Sequence, residues 1–259
     1  MPIRRIATWL LAGILTVGCT VLAFFPAARL AQPLETATHG RLTLLDATGT
    51  IWSGSAVLGA ATRANEPATA LLPGRFAWKL SPLVLFGRVD LQLENPAVLM
   101  QPATLTGGWR EWQLAAGTLV LPVNGLAALG APFNTLALSG KMRLSWQPLQ
   151  LARDGNRIGV NGLMRMELDD ITSRLYPMKT LGAYWMTFDW RGQEAELALA
   201  TARGPLLLSG AGRIENGRLR FSGKAEAEAG QEEALANLLN LLGRRRNENG
   251  KTVIGLEFN

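Results

Sequence analysis

The chain has 259 residues, of which 48% are apolar and 18% charged, enough to build a core and too apolar for an intrinsically disordered protein. Its net charge of +6 is dispersed except at Arg244-Arg245-Arg246, which argues against nucleic acid as a partner, since such a site needs a clustered basic face. With one cysteine and one histidine there is no disulfide framework, and the usual ligand set of a zinc site is missing.

The first element is a run of 20 residues without charge, Ile6 to Phe25, whose polar side chains are Thr8, Thr16 and Thr20. At about 1.5 Å of rise per residue such a helix covers roughly 30 Å, the thickness of a hydrocarbon core. Arg4 and Arg5 precede it, so the positive-inside tendency places the N-terminus in the cytoplasm. The expected layout is a cytoplasmic tail (1–5), a transmembrane signal anchor (6–26) and a β-rich periplasmic domain (27–259). A cleaved signal peptide fits less well, because Pro26 stands two residues before Ala28 where a small residue belongs. A lipoprotein signal ending at Cys19 also fits poorly: Thr16 stands three residues before it and apolar sequence continues beyond. Cys19 then reads as a small apolar helix residue.

Beyond the anchor the pattern has period two. Phe76, Trp78 and Leu80 alternate with polar or small residues, as do Val89, Leu91 and Leu93. Met142, Leu144 and Trp146 follow, then Met164, Met166 and Leu168, then Tyr184, Met186, Phe188 and Trp190. Ala195, Leu197 and Leu199 and then Leu219 and Phe221 continue it. This predicts antiparallel strands with one buried face, and Trp78, Trp146 and Trp190 as core. Trp109 and Trp112, beside Gly107-Gly108, are open to either placement. A phrase of glycine, base, then apolar-x-apolar recurs at Gly40-Arg41, Gly74-Arg75, Gly87-Arg88, Gly140-Lys141 and Gly217-Arg218. Glycine supplies the positive φ of a turn or bulge, and the base faces water; a ligand groove lined by these bases is the competing reading. Pro82 and Pro148 should each end a strand. Gly155-Asn156-Arg157 and Glu215-Asn216-Gly217 carry hairpin-turn chemistry.

Helical periodicity is confined to a few places. Leu235, Leu238, Leu239 and Leu242 fall on one stripe of a helix over Gln231–Leu242, with Glu232 and Glu233 at its positive end. Arg244–Arg246 are expected to complement its negative end, and Val253, Leu256 and Phe258 to form a last strand. Short helical turns are expected at Ile171–Leu175, capped by Asp170, and within Pro122–Gly130. The predicted fold is therefore mainly β: a membrane helix, a curved antiparallel meander and one C-terminal amphipathic helix.

No catalytic, cofactor-binding or metal-binding residue is assigned, and the chain is not read as an enzyme. Ser/His or Cys/His catalysis would have to use His39, which reads as a juxtamembrane surface residue. Asp169 and Asp170 adjoin, but neighbours on a strand point to opposite faces, so they read as a cap and not a carboxylate pair.

Gly49-Thr50-Ile51-Trp52-Ser53-Gly54 after an N-terminal anchor resembles the opening motif of the type II secretion system protein N family. Leu129-Gly130-Ala131-Pro132-Phe133-Asn134-Thr135-Leu136, running into Gly140-Lys141-Met142-Arg143-Leu144-Ser145-Trp146, is also similar to that family. So are Ser173–Tyr184, with its Leu181-Gly182-Ala183-Tyr184, and the leucine-rich helix ending at Leu242-Gly243-Arg244. The resemblance implies a bitopic inner-membrane accessory subunit of a type II protein secretion machine, with other inner-membrane and periplasmic secretion subunits as partners. Membrane lipid would be contacted through the N-terminal helix. The strand starts resemble, more loosely, AsmA-like β-groove proteins that conduct lipid between membranes, the alternative reading.

Overall fold

Alternation of apolar and polar residues becomes antiparallel sheet in each of the two units into which the chain divides, Met1–Ala97 and Val98–Asn259. The structure, a computed structural model, describes residues 2–38, 40, 42–60, 68–123, 138–155, 157–173, 180–215, 217–248 and 251–258. His39 and Arg41 therefore lie outside the described residues, as do positions 124–130 of the expected helix within Pro122–Gly130.

In the first unit the uncharged run as far as Ala23 lies in α1 (Pro2–Ala23), a helix of 22 residues that also takes in Arg4 and Arg5. Among the described residues, no helix is long and apolar enough to cross a membrane. A 3-10 turn (Ala27–Leu30) and α2 (Ala31–Ala37) lead into the sheet. Its strands are β1 (Leu42–Gly49), β2 (Ser53–Ala60), β3 (Thr69–Ala70), β4 (Phe76–Leu80) and β5 (Val89–Glu94). β2 pairs with β1 on one side and with β3 and β4 on the other, and β4 pairs with β5. The small core is Ala27, Ala56 and Trp78, with Leu30, Leu44, Ala47, Leu91 and Leu93 against it.

The second unit is the expected meander. Its strands are β6 (Ala103–Gly107), β7 (Glu111–Leu114), β8 (Gly117–Pro122), β9 (Leu138–Trp146), β10 (Leu149–Asp154) and β11 (Arg157–Ser173). β12 (Gly182–Gly192), β13 (Glu194–Arg203), β14 (Leu206–Glu215) and β15 (Arg218–Ala227) follow. The long β11 takes both β9 and β10 along one edge, because Gln147-Pro148 interrupts the ladder without turning the chain back. From β11 to β15 each strand pairs with the next. The order then changes: α3 (Glu232–Leu242) crosses over, and β17 (Lys251–Phe258) pairs with both β15 and β16 (Arg244–Glu248).

Two sequence expectations are corrected here. Ile171–Ser173 stay in β11 and form no helical turn, since the strand continues past a bulge at Asp169-Asp170, where Asp170 has φ 52 and caps nothing. Arg244–Arg246 do not continue past the helix as a cationic cap: Gly243 is extended (φ 173) and the arginines are the backbone of β16.

Candidate functional site

At three places in the sheets a glycine pairs across from an aromatic residue whose ring packs on it, and the same device is used in both units. Gly54 pairs with Trp78, Gly117 with Trp146 and Gly212 with Phe221. A Cβ on Gly54 would lie 2.6 Å from the Trp78 ring, and one on Gly117 would lie 2.5 Å from Trp146. The Phe221 ring spreads further, over Gly210, Gly212 and Gly223. Each ring packs against bare backbone and fills the space that the missing side chain leaves open. The indoles are then free to point their N–H along the sheet: Trp78 Nε1 donates to Ile51 O (3.1 Å) and Trp146 Nε1 to Ala115 O (2.8 Å).

Gly49–Gly54 is where the sheet of the first unit meets the end of α1. Gly49 has φ 84 at the end of β1, and a Cβ there would approach Ser53 O to 2.5 Å, so only glycine makes this tight reversal. The turn projects Trp52, whose Nε1 donates to Leu22 O in the last turn of α1 at 2.8 Å. Ile51 N donates to Phe25 O at 3.0 Å, and Pro26 bridges Thr50. Carbonyls at a helix C-terminus have no partner within the helix. Here the motif supplies a donor to one of them, Leu22 O, while Ala27, fully buried beside Ala56 and Trp78, packs the chain after the helix onto the sheet.

The second unit has two chemically distinct faces. Trp146, Met164, Phe188 and Leu197 stand in one cross-strand row that ends on Gly212 and Phe221. Leu144, Met166, Met186 and Leu199 form the next row, and Met142, Leu168 and Tyr184 the one beyond. α3 lays Leu235, Leu238 and Leu239 over the far end of this face, where Met142, Tyr184, Phe221, Ile254 and Leu256 are buried with them. Trp146, Met164, Phe188 and Trp190 lie outside that cluster and are half-buried, although the alternation predicts them as core. The difference is local cover: period two fixes a face, and what lies over the face decides burial. Trp190 Nε1 is buried without a hydrogen-bond partner.

The opposite face carries ion pairs. Arg143 and Arg165 reach Glu167 at 3.5 and 3.0 Å, Arg213 reaches Glu196 at 3.7 Å, and Lys224 reaches Glu226 at 3.0 Å. Such exposed pairs contribute about 0–1 kcal/mol each and mainly keep this face in water. Arg75 has a more specific task than the solvation expected of it, for it pairs with Asp46 Oδ2 and donates to Asp46 O, holding a β1 bulge where Asp46 has φ 49. The glycines of the phrase all take positive φ, as expected, though Gly140 (φ 143) lies within β9 opposite the Asp169-Asp170 bulge and not at a strand start.

The structure does not bring the remaining candidates into one site. Asp170 Oδ1 accepts from Arg203 at 3.1 Å, while Asp169 pairs in register with Lys141. Trp109 is exposed and Trp112 half-buried. The features that stand out are therefore the clamp on α1 and the half-covered apolar face. Sequence reasoning quoted the clamp's motif without seeing its use, because a contact between Trp52 and Leu22 has no local periodicity.

No curated protein matches the chain, and no solved structure does. The family model for protein N of the type II secretion system (T2SS) matches residues 40–255, from the residues just before β1 to the middle of β17. The matched stretch takes in the Gly49–Gly54 clamp, the glycine–aromatic pairs of both units and the leucine stripe of α3. The chain belongs to the type II secretion system protein N family.

Proposed function

We propose that the chain is a bitopic inner-membrane accessory subunit of a type II secretion machine, with residues 1–5 in the cytoplasm and residues from about 27 onward in the periplasm. There it acts by binding other secretion subunits and performs no catalysis. The family match over residues 40–255 is the observation that carries this reading. The anchor lies outside that match and rests on the sequence: 20 uncharged residues preceded by Arg4 and Arg5. Confinement to a membrane raises effective concentration, so modest interfaces suffice to hold such a subunit in an assembly.

The test is photo-crosslinking in intact membranes from cells that carry the whole secretion machine, followed by identification of the captured subunits. Capture of secretion subunits by probes on the second unit supports scaffolding. Stoichiometric phospholipid or lipopolysaccharide co-purifying with the protein, and no crosslinked secretion subunit, would replace scaffolding with lipid binding. The half-buried Trp146, Met164 and Phe188 of one row, with Trp190 beside them, are where such lipid would lie.

A further inference from the structure

The turn between β4 and β5 displays apolar side chains that its own fold takes trouble to hold out. Ser81 Oγ accepts from Leu83 N at 3.3 Å, Pro82 opens a 3-10 turn (Pro82–Phe86), and Gly87 closes it at φ 87. Gly87 N and Arg88 N both return to the turn, to Val84 O and Leu83 O, at 3.1 Å. With its backbone satisfied in this way, the turn leaves Leu83 47%, Leu85 48% and Phe86 85% exposed. Single apolar residues on a surface are ordinary, but three gathered on one capped turn mark a contact.

The register of the first unit says which end of the sheet this turn occupies. Ser53 of β2 pairs with Lys79 of β4, and Leu80 N donates to Trp52 O at 2.7 Å. Trp52 is the residue that caps Leu22 O of α1. The β4–β5 turn and the clamped end of α1 are therefore at the same end of one sheet. Phe24 and Phe25, at that helix end, are exposed as well. Around them stand exposed bases, Arg29, Lys79 and Arg88, against the exposed carboxylate of Asp90.

We propose that Leu83, Leu85 and Phe86 form a second membrane contact, seated in the interfacial layer of the outer leaflet of the membrane that α1 crosses. The occupant is the lipid surface itself, for two reasons on this end of the molecule. The turn continues the apolar end of the anchor, and the bases around it match anionic headgroups. Side chains of this kind enter about 5–10 Å into the headgroup and acyl boundary. The inference rests on the reading of α1 as a membrane anchor.

The test uses the full chain, with Cys19 replaced by serine and one cysteine introduced as Phe86→Cys or, at the far end of the sheet, as Thr69→Cys. Each variant is labelled with an environment-sensitive fluorophore and reconstituted into vesicles of phosphatidylethanolamine and phosphatidylglycerol carrying nitroxide quenchers just below the headgroups. Flotation with the vesicles reports on the anchor. The label reports on the turn: blue-shifted emission at position 86, quenched several-fold more by the nitroxide lipid than at position 69, is the expected result. Flotation with position 86 emitting as in water and quenched by aqueous iodide overturns the membrane contact while the anchor stands. A label shielded from both quenchers means that protein covers the turn, and overturns it too. Failure to float overturns anchor and contact together.

Discussion

Tyr184 shows how a single buried group links the second unit to pH. Its hydroxyl lies 3.0 Å from Leu181 O and 3.1 Å from Leu206 O, and burial raises its pKa well above the usual phenol value. The folded state therefore keeps the proton that the unfolded chain releases near pH 10. Its contribution is complete below that pH and is lost as pH rises toward the folded value. Chemical denaturation across alkaline pH should show stability falling from about pH 10, and Tyr184→Phe should flatten that fall while costing about 1–3 kcal/mol at neutral pH through loss of the hydroxyl's buried hydrogen bonds. The glycines under the rings make a second prediction. Gly54→Ala would place its Cβ 2.6 Å from the Trp78 ring and within 2.8 Å of the Thr48 and Thr50 carbonyls, so it should destabilise the first unit by about 1–3 kcal/mol in urea melts. These pairings were not legible from sequence. Alternation gives the face of Trp78 or Phe221, but that a glycine lies opposite depends on register, which no local pattern states.

At the scale of elements, α3 was the most legible piece, because Leu235, Leu238 and Leu239 obey one stripe and all three are buried. Leu238→Ala should cost about 2–5 kcal/mol by denaturation, whereas Leu241→Ala, at a position 52% exposed, should cost little. Trp78→Ala belongs with Leu238, at about 3–5 kcal/mol, and Trp146→Ala should cost less because its ring is only half covered. The strands and their hairpin turns were likewise legible, since Gly155 (φ 59) and Gly217 (φ 77) announce them by chemistry. What failed was the reading of interruptions. Asp169-Asp170 looks like a helix cap and is a bulge, and Arg244–Arg246 looks like a cationic cap and is an edge strand paired with β17. In both cases long-range pairing overrode a local preference.

For the whole molecule, the anchor reading predicts that the protein resists carbonate extraction. It also predicts that a phosphatase joined after Asn259 is active in the periplasm. Release by carbonate with the N-terminus trimmed near Ala28 would show instead that the run is removed. The family was legible only through ordered motifs spread along the chain, since no catalytic or metal-binding motif stands in the sequence.

The clamp of Trp52 on Leu22 has a mechanical meaning as well. A tether of glycine and serine would let a domain tumble at the end of its anchor. Here Leu22 O of α1 and Phe25 O just beyond it are bonded into the β1–β2 turn, and Ala27 is buried against the sheet. The helix thus behaves as a shaft keyed to a blade. A neighbour that tilted α1, or rolled it about its axis, would swing the first unit through the same angle, and torque applied to the sheet would return along the helix by the same route.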